Sequence, residues 1–218
     1  MGLLATILGM EVMRVLKILN QIYPDLEMYR VTTTPFRTLI ATLISQRARD
    51  DQTVPVAEAL FKVADTPQAV LALSRARLEK ILRPSGKYRQ NARRIQDISK
   101  ILIADHDGKV PANEEKLLAL PGVGRKTANI VLSHSFKKDA IAVDTHVHRI
   151  TNRLGWVKTQ TPEETEKALQ KIIPKKYWRI VNRVFVRHGQ ELCVPQSPFC
   201  STCPIFEYCK RVNVKRSR

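Results

Sequence analysis

Apolar residues recur along most of the chain at three- and four-residue intervals, the repeat of one face of an α-helix. Val12, Leu16, Ile18, Leu19 and Ile22 extend an apolar lead over Met1–Met10 and predict an amphipathic helix that Pro24 ends. Thr34-Pro35 opens a second helix through Leu39, Ile40, Leu43 and Ile44. Others are expected over about Val54–Val63, from Thr66-Pro67 through Leu73, over Arg75–Leu82 and over about Tyr88–Ala104. Asn113 caps a helix that runs to Leu120, and Arg125 begins one with Ala128, Val131, Leu132 and Ser135 at helical spacing. Thr145 to about Leu154 is helical, Thr161-Pro-Glu-Glu164 reads as a capping box for a helix to about Ile173, and Pro174 opens a last one to about His188. No alternating run of useful length interrupts the series, so the expected fold is all-α, without internal repeats.

Length adds a bound: 218 residues, 44% of them hydrophobic, can build one large core or two small ones. The apolar start has no basic leader and no cleavage pattern and is too short to span a bilayer, so neither a signal peptide nor a membrane partner is expected. Charge changes the picture more. With 37 Lys and Arg against 20 Asp and Glu, the net charge is +17, which points to a polyanion, nucleic acid ahead of a membrane surface. Two connectors concentrate that charge, Ser45-Gln-Arg-Ala-Arg-Asp50 and Arg83-Pro-Ser-Gly-Lys-Tyr-Arg89, although such runs are usually solvated faces.

The candidate chemistry centres on Leu120-Pro-Gly-Val-Gly-Arg-Lys-Thr-Ala-Asn129. Two short helices joined through Gly122, Val123 and Gly124 form a helix-hairpin-helix, whose glycines permit positive φ or close approach of another backbone. Amides at the start of the second helix favour an anion such as a DNA phosphate. The alternative is a plain helical hairpin. Lys126 lies in the first turn of that helix, where the dipole's positive end and Arg125 favour the free amine, a possible nucleophile. An exposed lysine that contacts phosphate is the competing reading. Asp144 follows the hydrophobic run Ala140–Val143 and precedes a helix, the place of an N-cap, and a carboxylate held there stays ionised and rigid.

Cys193, Cys200, Cys203 and Cys209, the four cysteines of the chain, fall within 17 residues as C-x6-C-x2-C-x5-C. Disulfides in so small a loop are not expected without a secretory signal, and four converging thiolates suit a metal. Structural zinc sites usually pair two short C-x2–4-C knuckles, and only Cys200 and Cys203 make one; the wide gaps favour a [4Fe–4S] cluster, with zinc the alternative. His134, His146, His148 and His188 have no carboxylate or cysteine at ligand spacing and are expected to pack or to face phosphate.

The hairpin Leu120–Lys126, then Val143-Asp-Thr-His146, then the cysteine loop come in the order found in the endonuclease III family of DNA glycosylases, which the chain resembles over about Leu16–Cys209. The resemblance implies a six-helix barrel domain over residues 29–138 and an iron–sulfur domain made from residues 1–28 and 139–218, with DNA between them. It assigns catalysis to Lys126 and Asp144. The lysine would attack C1′ of a nucleotide flipped from the duplex, the base would leave, and a Schiff base would permit β-elimination of the 3′ phosphate, with Asp144 stabilising developing positive charge and assisting proton transfer. It also implies a cluster on the four cysteines and DNA contacts at Gly122, Val123, Gly124 and Arg125. The branch that removes mismatched adenine lacks the lysine, so Lys126 counts against it.

Three departures from the family pattern stand out. The loop Val194-Pro-Gln-Ser-Pro-Phe199 carries no cation where members often meet phosphate, which leaves Lys210, Arg211, Lys215 and Arg216 as the alternative source. Gln46 and Arg47 compete to fill the gap left by the flipped base, and Lys87 replaces an apolar wedge before Tyr88. The expected partner is double-stranded DNA with a damaged base or abasic site, bound by a monomer in a prokaryote-like cytoplasm at the nucleoid. The favoured activity is a bifunctional glycosylase for oxidised pyrimidines. Its alternatives are removal of thymine or uracil opposite guanine, and DNA binding without catalysis.

Overall fold

The computed structural model describes residues 2–24, 31–46 and 50–218, with side chains omitted at 2–7, 50 and 51. Helices and turns make up the described residues, and no strand occurs among them. The chain divides into two compact units, Leu26–Lys138 on one side and Met1–Asp25 with Asp139–Arg218 on the other.

The continuous unit contains α1 to α7 in the order α1 (Pro35–Ile44), α2 (Asp50–Phe61), α3 (Pro67–Ala72), α4 (Arg75–Leu82), α5 (Tyr88–His106), α6 (Glu114–Leu118) and α7 (Arg125–Ile130). Side-chain caps set several of the starts. Thr34 accepts from Arg37 N at 3.2 Å, Thr66 from Ala69 N at 3.2 Å and Asn113 from Lys116 N at 3.0 Å, each supplying an acceptor to an amide the helix itself leaves orphaned. α3 and α4 both pack on α5, and α1 packs on α2 and α7. The faces turned inward carry Leu39, Ile40, Leu43, Ile44, Leu60, Leu78, Leu82, Ile95 and Ile98, all fully buried.

Two helices differ from the periodicity. α2 begins at Asp50 rather than near Val54, so that Pro55 lies inside it on the exposed side and forgoes one backbone hydrogen bond. The helix after the hairpin ends at Ile130 and widens into a π turn over Val131–Ser135. Ser133 Oγ donates to the Asn129 carbonyl at 2.6 Å, the i−4 back-bonding that bends helices, and Ser135 Oγ donates to Thr38 Oγ1 of α1 at 2.8 Å.

In the other unit, α8 (Gly2–Ile22) packs on α9 (Pro162–Ile172) and α10 (Trp178–Glu191), and α11 (Thr145–Leu154) lies against both of the latter. Val12, Leu16, Leu19, Val147, Ile150, Leu169, Val184 and Phe185 build its core, with the Trp156 and Phe185 rings edge to face at 5.7 Å between centroids. Thr161 caps α9, and the Glu164 carboxylate reaches the Gln160 amide at 2.8 Å, one residue before the cap that a standard capping box would use. Arg183, buried in α10, donates to the Tyr23 carbonyl at 2.8 Å and to Asn20, which ties the end of α8 down.

These packings set an expectation for stability. Leu39→Ala, which empties a fully buried site, should lower unfolding free energy by about 2–5 kcal/mol in urea titration. Ile103→Ser, at a position 37% exposed, should change it by no more than about 0.5 kcal/mol.

Candidate active site

The hairpin forms because Asn113 starts α6, Ala119 ends it, and the chain then turns through Pro121–Gly124 into α7. Gly122 has φ +79°, a left-handed conformation that disfavours side chains, and the Val123 amide donates to the Leu120 carbonyl at 3.1 Å to close the turn. A Cβ on Gly122 would stand 2.7 Å from Arg94 Nε, so the absence of a side chain also makes room for that guanidinium. Gly124 differs. It serves as the N-cap of α7 at φ −96°, open to any residue, and nothing lies within 4 Å of where its Cβ would be. Of the two glycines, one shapes the turn and the other leaves the surface clear for a close approach.

Val123 is buried beneath the turn, while Arg125 and Lys126 are half-buried in the first turn of α7. Arg125 Nη1 lies 3.3 Å from Glu114 Oε1 and links the two helices of the hairpin. Gln46, just past α1, reaches the hairpin: its Nε2 donates to the Gly122 carbonyl at 3.0 Å, and its Oε1 accepts from Arg94 Nη1 at 3.3 Å. Gly122, Val123, Gly124, Arg125, Lys126 and Gln46 therefore meet in one place. Lys87, exposed at the start of α5, stands about 10 Å farther along that helix from Arg94 at 1.5 Å per residue. Arg47 lies outside the described residues.

Asp144 belongs to the other unit and caps α11. Its Oδ1 accepts from His146 N and Val147 N, both at 2.9 Å, so that the cap occupies one oxygen of the carboxylate. Two bonded amides fix the rotamer, a rigidity suited to stabilising positive charge on a reacting group.

The four cysteines, all unpaired, line a single pocket with apolar walls that include Ile150, Leu154, Leu192, Phe199 and Ile205. Burial pushes the Cys203 thiol up to about 11 and also raises Cys209, so these sulfurs keep their protons unless a metal replaces them. Among the described residues, no three His, Cys, Asp or Glu side chains stand close enough to hold a single ion. α11 grips the loop from below. Arg149 Nη2 donates to the Cys193 carbonyl at 2.9 Å; Arg153 Nη1 reaches the Val194 carbonyl at 2.8 Å and Cys193 Sγ at 3.3 Å.

Neither arginine was singled out from the sequence, although their spacing of four, one turn beyond Asp144, places them on one helix face. His188 packs in the interior as expected, and the fold also brings to it a cysteine that spacing alone did not: Nε2 is 3.7 Å from Cys203 Sγ, and Nδ1 is 3.3 Å from Tyr23 OH. Burial, then the charge of Arg149, lowers the pKa of His188 to about 4, so it is neutral at pH 7. The basic segment 210–218 folds back instead of trailing. Val212 N bonds Arg153 O at 3.0 Å, Arg218 N bonds Pro198 O at 2.8 Å, and the Arg218 guanidinium stacks on Phe199 at 4.1 Å. Lys210, Arg211, Lys215 and Arg216 remain exposed on it.

Residues 40–175 match the HhH-GPD superfamily of base excision DNA repair proteins. An endonuclease III from Thermotoga maritima is 52% identical over 178 residues, 82% of this chain and 84% of that protein. Among solved structures, a non-covalent endonuclease III–DNA complex superposes with TM-score 0.85 at 38% identity, covering 93% of this chain and 95% of that one. A trapped endonuclease III–DNA covalent intermediate gives 0.84, also at 38% identity, covering 93% and 96%. The chain belongs to the endonuclease III family.

The two hairpin glycines should separate in experiment. Gly122→Ala should cost about 1–3 kcal/mol of stability, because it forces a side chain into the left-handed region against Arg94. Gly124→Ala should cost under about 1 kcal/mol in the same denaturation assay yet weaken duplex binding measured by fluorescence anisotropy.

Proposed function

We propose that this chain excises oxidised pyrimidines from double-stranded DNA and cleaves the resulting abasic site by β-elimination. The observation that carries the reading is the placement of Lys126 in the first turn behind a hairpin clamped at Gly122, in a family of which one member has been trapped covalently on DNA. Covalent capture requires a protein nucleophile, and a primary amine is the group able to form an imine with a sugar aldehyde.

The Lys126 amine forms a bond to C1′ as the C1′–N bond to the base breaks, and the base leaves with the electron pair and takes up a proton. Opening of the sugar ring, with protonation of O4′, converts the adduct to an imine. Loss of a C2′ proton then expels the 3′ phosphate, and water hydrolyses the imine to free the lysine. The Asp144 carboxylate, held by two amides, opposes the positive charge that develops at C1′ and serves as the proton carrier. Gly122–Arg125 face the phosphates, Gln46, Arg47 or Lys87 occupies the gap left by the flipped nucleotide, and the exposed cations at 210–216 offer further phosphate contacts. The unit over 29–138 is the barrel domain and the remainder the iron–sulfur domain. The enzyme acts as a monomer in the cytoplasm, at the nucleoid. Among the described residues no helix is long and apolar enough to cross a membrane.

The cysteine pocket fits a [4Fe–4S] cluster. Four sulfurs line it without a carboxylate among its walls, and Arg153 Nη1 at Cys193 Sγ offsets thiolate charge. A single zinc would need all four sulfurs about 2.3 Å from one point, and among the described residues no three such side chains stand that close together, whereas a cluster holds its thiolates farther apart. When bound, the cluster would supply a rigid four-point node for the loop Cys193–Cys209, and no reaction step runs through it.

Borohydride reduction in the presence of an abasic duplex tests the chemistry. The protein should give a covalent adduct that Lys126→Ala abolishes, and Asp144→Asn should slow it by about 100- to 1000-fold. An adduct that survives Lys126→Ala overturns the assignment. On intact duplexes, release of thymine glycol and dihydrouracil in preference to uracil or G·T thymine is expected. For the pocket, anaerobically purified protein should be brown and contain iron, and Cys200→Ser should lose the visible absorption; colourless protein with stoichiometric zinc would contradict the cluster.

A further inference from the structure

We propose that Arg94, on α5, is a positioning residue for the Lys126 amine and acts through the carboxamide of Gln46. The proposal rests on Lys126 being the nucleophile and adds what holds its backbone in place.

Gln46 Nε2 lies 3.0 Å from the Gly122 carbonyl and 3.5 Å from Thr127 Oγ1, so one nitrogen touches the chain on both sides of Lys126. Thr127 is buried at 2% exposure and gives that bridge a fixed wall on the helix side. A carboxamide can nevertheless turn over, exchanging its oxygen and nitrogen at little intrinsic cost. If it did, Oε1 would face the Gly122 carbonyl, acceptor against acceptor, and the bridge would be lost. Arg94 Nη1 prevents this by donating to Oε1 at 3.3 Å, since a guanidinium has only donors to offer. The same side chain also fills the space beside Gly122, where Nε, Cδ and Cζ lie 2.7, 2.8 and 3.0 Å from the position a Cβ would take. Arg94 thus bears on the turn twice, once by filling the space a Gly122 side chain would need and once by orienting the amide that bonds the Gly122 carbonyl. A loop held from both directions cannot easily shift, and the amine launched from its end stays aimed.

The consequence is a kinetic signature. Arg94→Ala should lower the single-turnover rate of borohydride trapping at saturating enzyme by about 10- to 100-fold, the scale of loss when a reacting group is misplaced by an ångström. The dissociation constant for the same abasic duplex should change less than about threefold, well inside the tenfold that corresponds to 1.4 kcal/mol. Arg94→Lys keeps a single donor for Oε1 and should recover part of the rate. Gln46→Ala should reproduce the loss, and the double variant should be no slower than the slower single one, because both act through one bridge. A trapping rate for Arg94→Ala within threefold of the unmodified protein, or losses that multiply in the double variant, overturns the proposal, as does a loss that Arg94→Lys does not partly restore. Absence of any adduct from the unmodified protein would instead sink the underlying nucleophile assignment.

Discussion

The left-handed backbone at Gly122 is the constraint on which the hairpin depends. With φ at +79° the chain reverses in four residues and presents its carbonyl to the Gln46 amide, which donates to it. An ordinary residue there would meet two penalties together, the strained dihedral and a collision with Arg94. Closing the turn also decides where α7 begins, and therefore where the side chain two residues after its N-cap emerges. α7 is short at its other end too, where the chain passes into a π turn in which Ser133 bonds the Asn129 carbonyl and Ser135 bonds Thr38. Lys126 sits on a brief, doubly anchored segment rather than on a long helix able to flex as a rod.

The second unit solves a different problem, that of ordering a loop with little regular secondary structure. Between Cys193 and Cys209 the chain makes only isolated turns, and its backbone carbonyls would otherwise be left to water. Arg149 and Arg153 answer this from α11 by donating to the Cys193, Val194 and Pro195 carbonyls. Asp144 caps the same helix, so the carboxylate proposed for chemistry and the two arginines that order the cysteine loop are rows on a single rigid element. Burial keeps Cys203 protonated without a metal, which makes loading and proton release a linked event.

Much of this was legible in the chain because it is local. Caps at Thr34, Thr66, Asn113, Asp144 and Thr161 are read within four residues, and the structure places a side-chain bond at each. The hairpin and the cysteine spacing are local too. What escaped depends on contacts between distant residues: Arg94 meeting Gln46 over a separation of 48, Ser135 meeting Thr38 over 97, His188 meeting Cys203 around a loop, and Arg218 returning to Pro198. The early start of α2 was hidden for a related reason. Proline commonly opens a helix, and only the preceding turn, Asp50–Val54, held by packing of α2 on α1 and α4, makes it interior.

The net charge of +17 invites the inference that most of the cations face DNA, and the structure argues against so simple a conversion. Arg94, Arg149, Arg153 and Arg183 have donors engaged by protein oxygens, and Arg37 is paired with Asp65 at 2.8 Å. A guanidinium spent on backbone carbonyls retains its charge, so it still contributes to the field that draws a polyanion in. Its hydrogen bonds, however, are already made, and bonding a phosphate would require breaking them. Steering and contact are therefore drawn from different residues. The exposed cations, such as Lys87, Arg89, Lys215 and Arg216, are the ones placed to release counterions from the duplex. In this protein arginine serves as internal mortar as well as electrostatic bait, and total charge overstates the second role by the extent of the first.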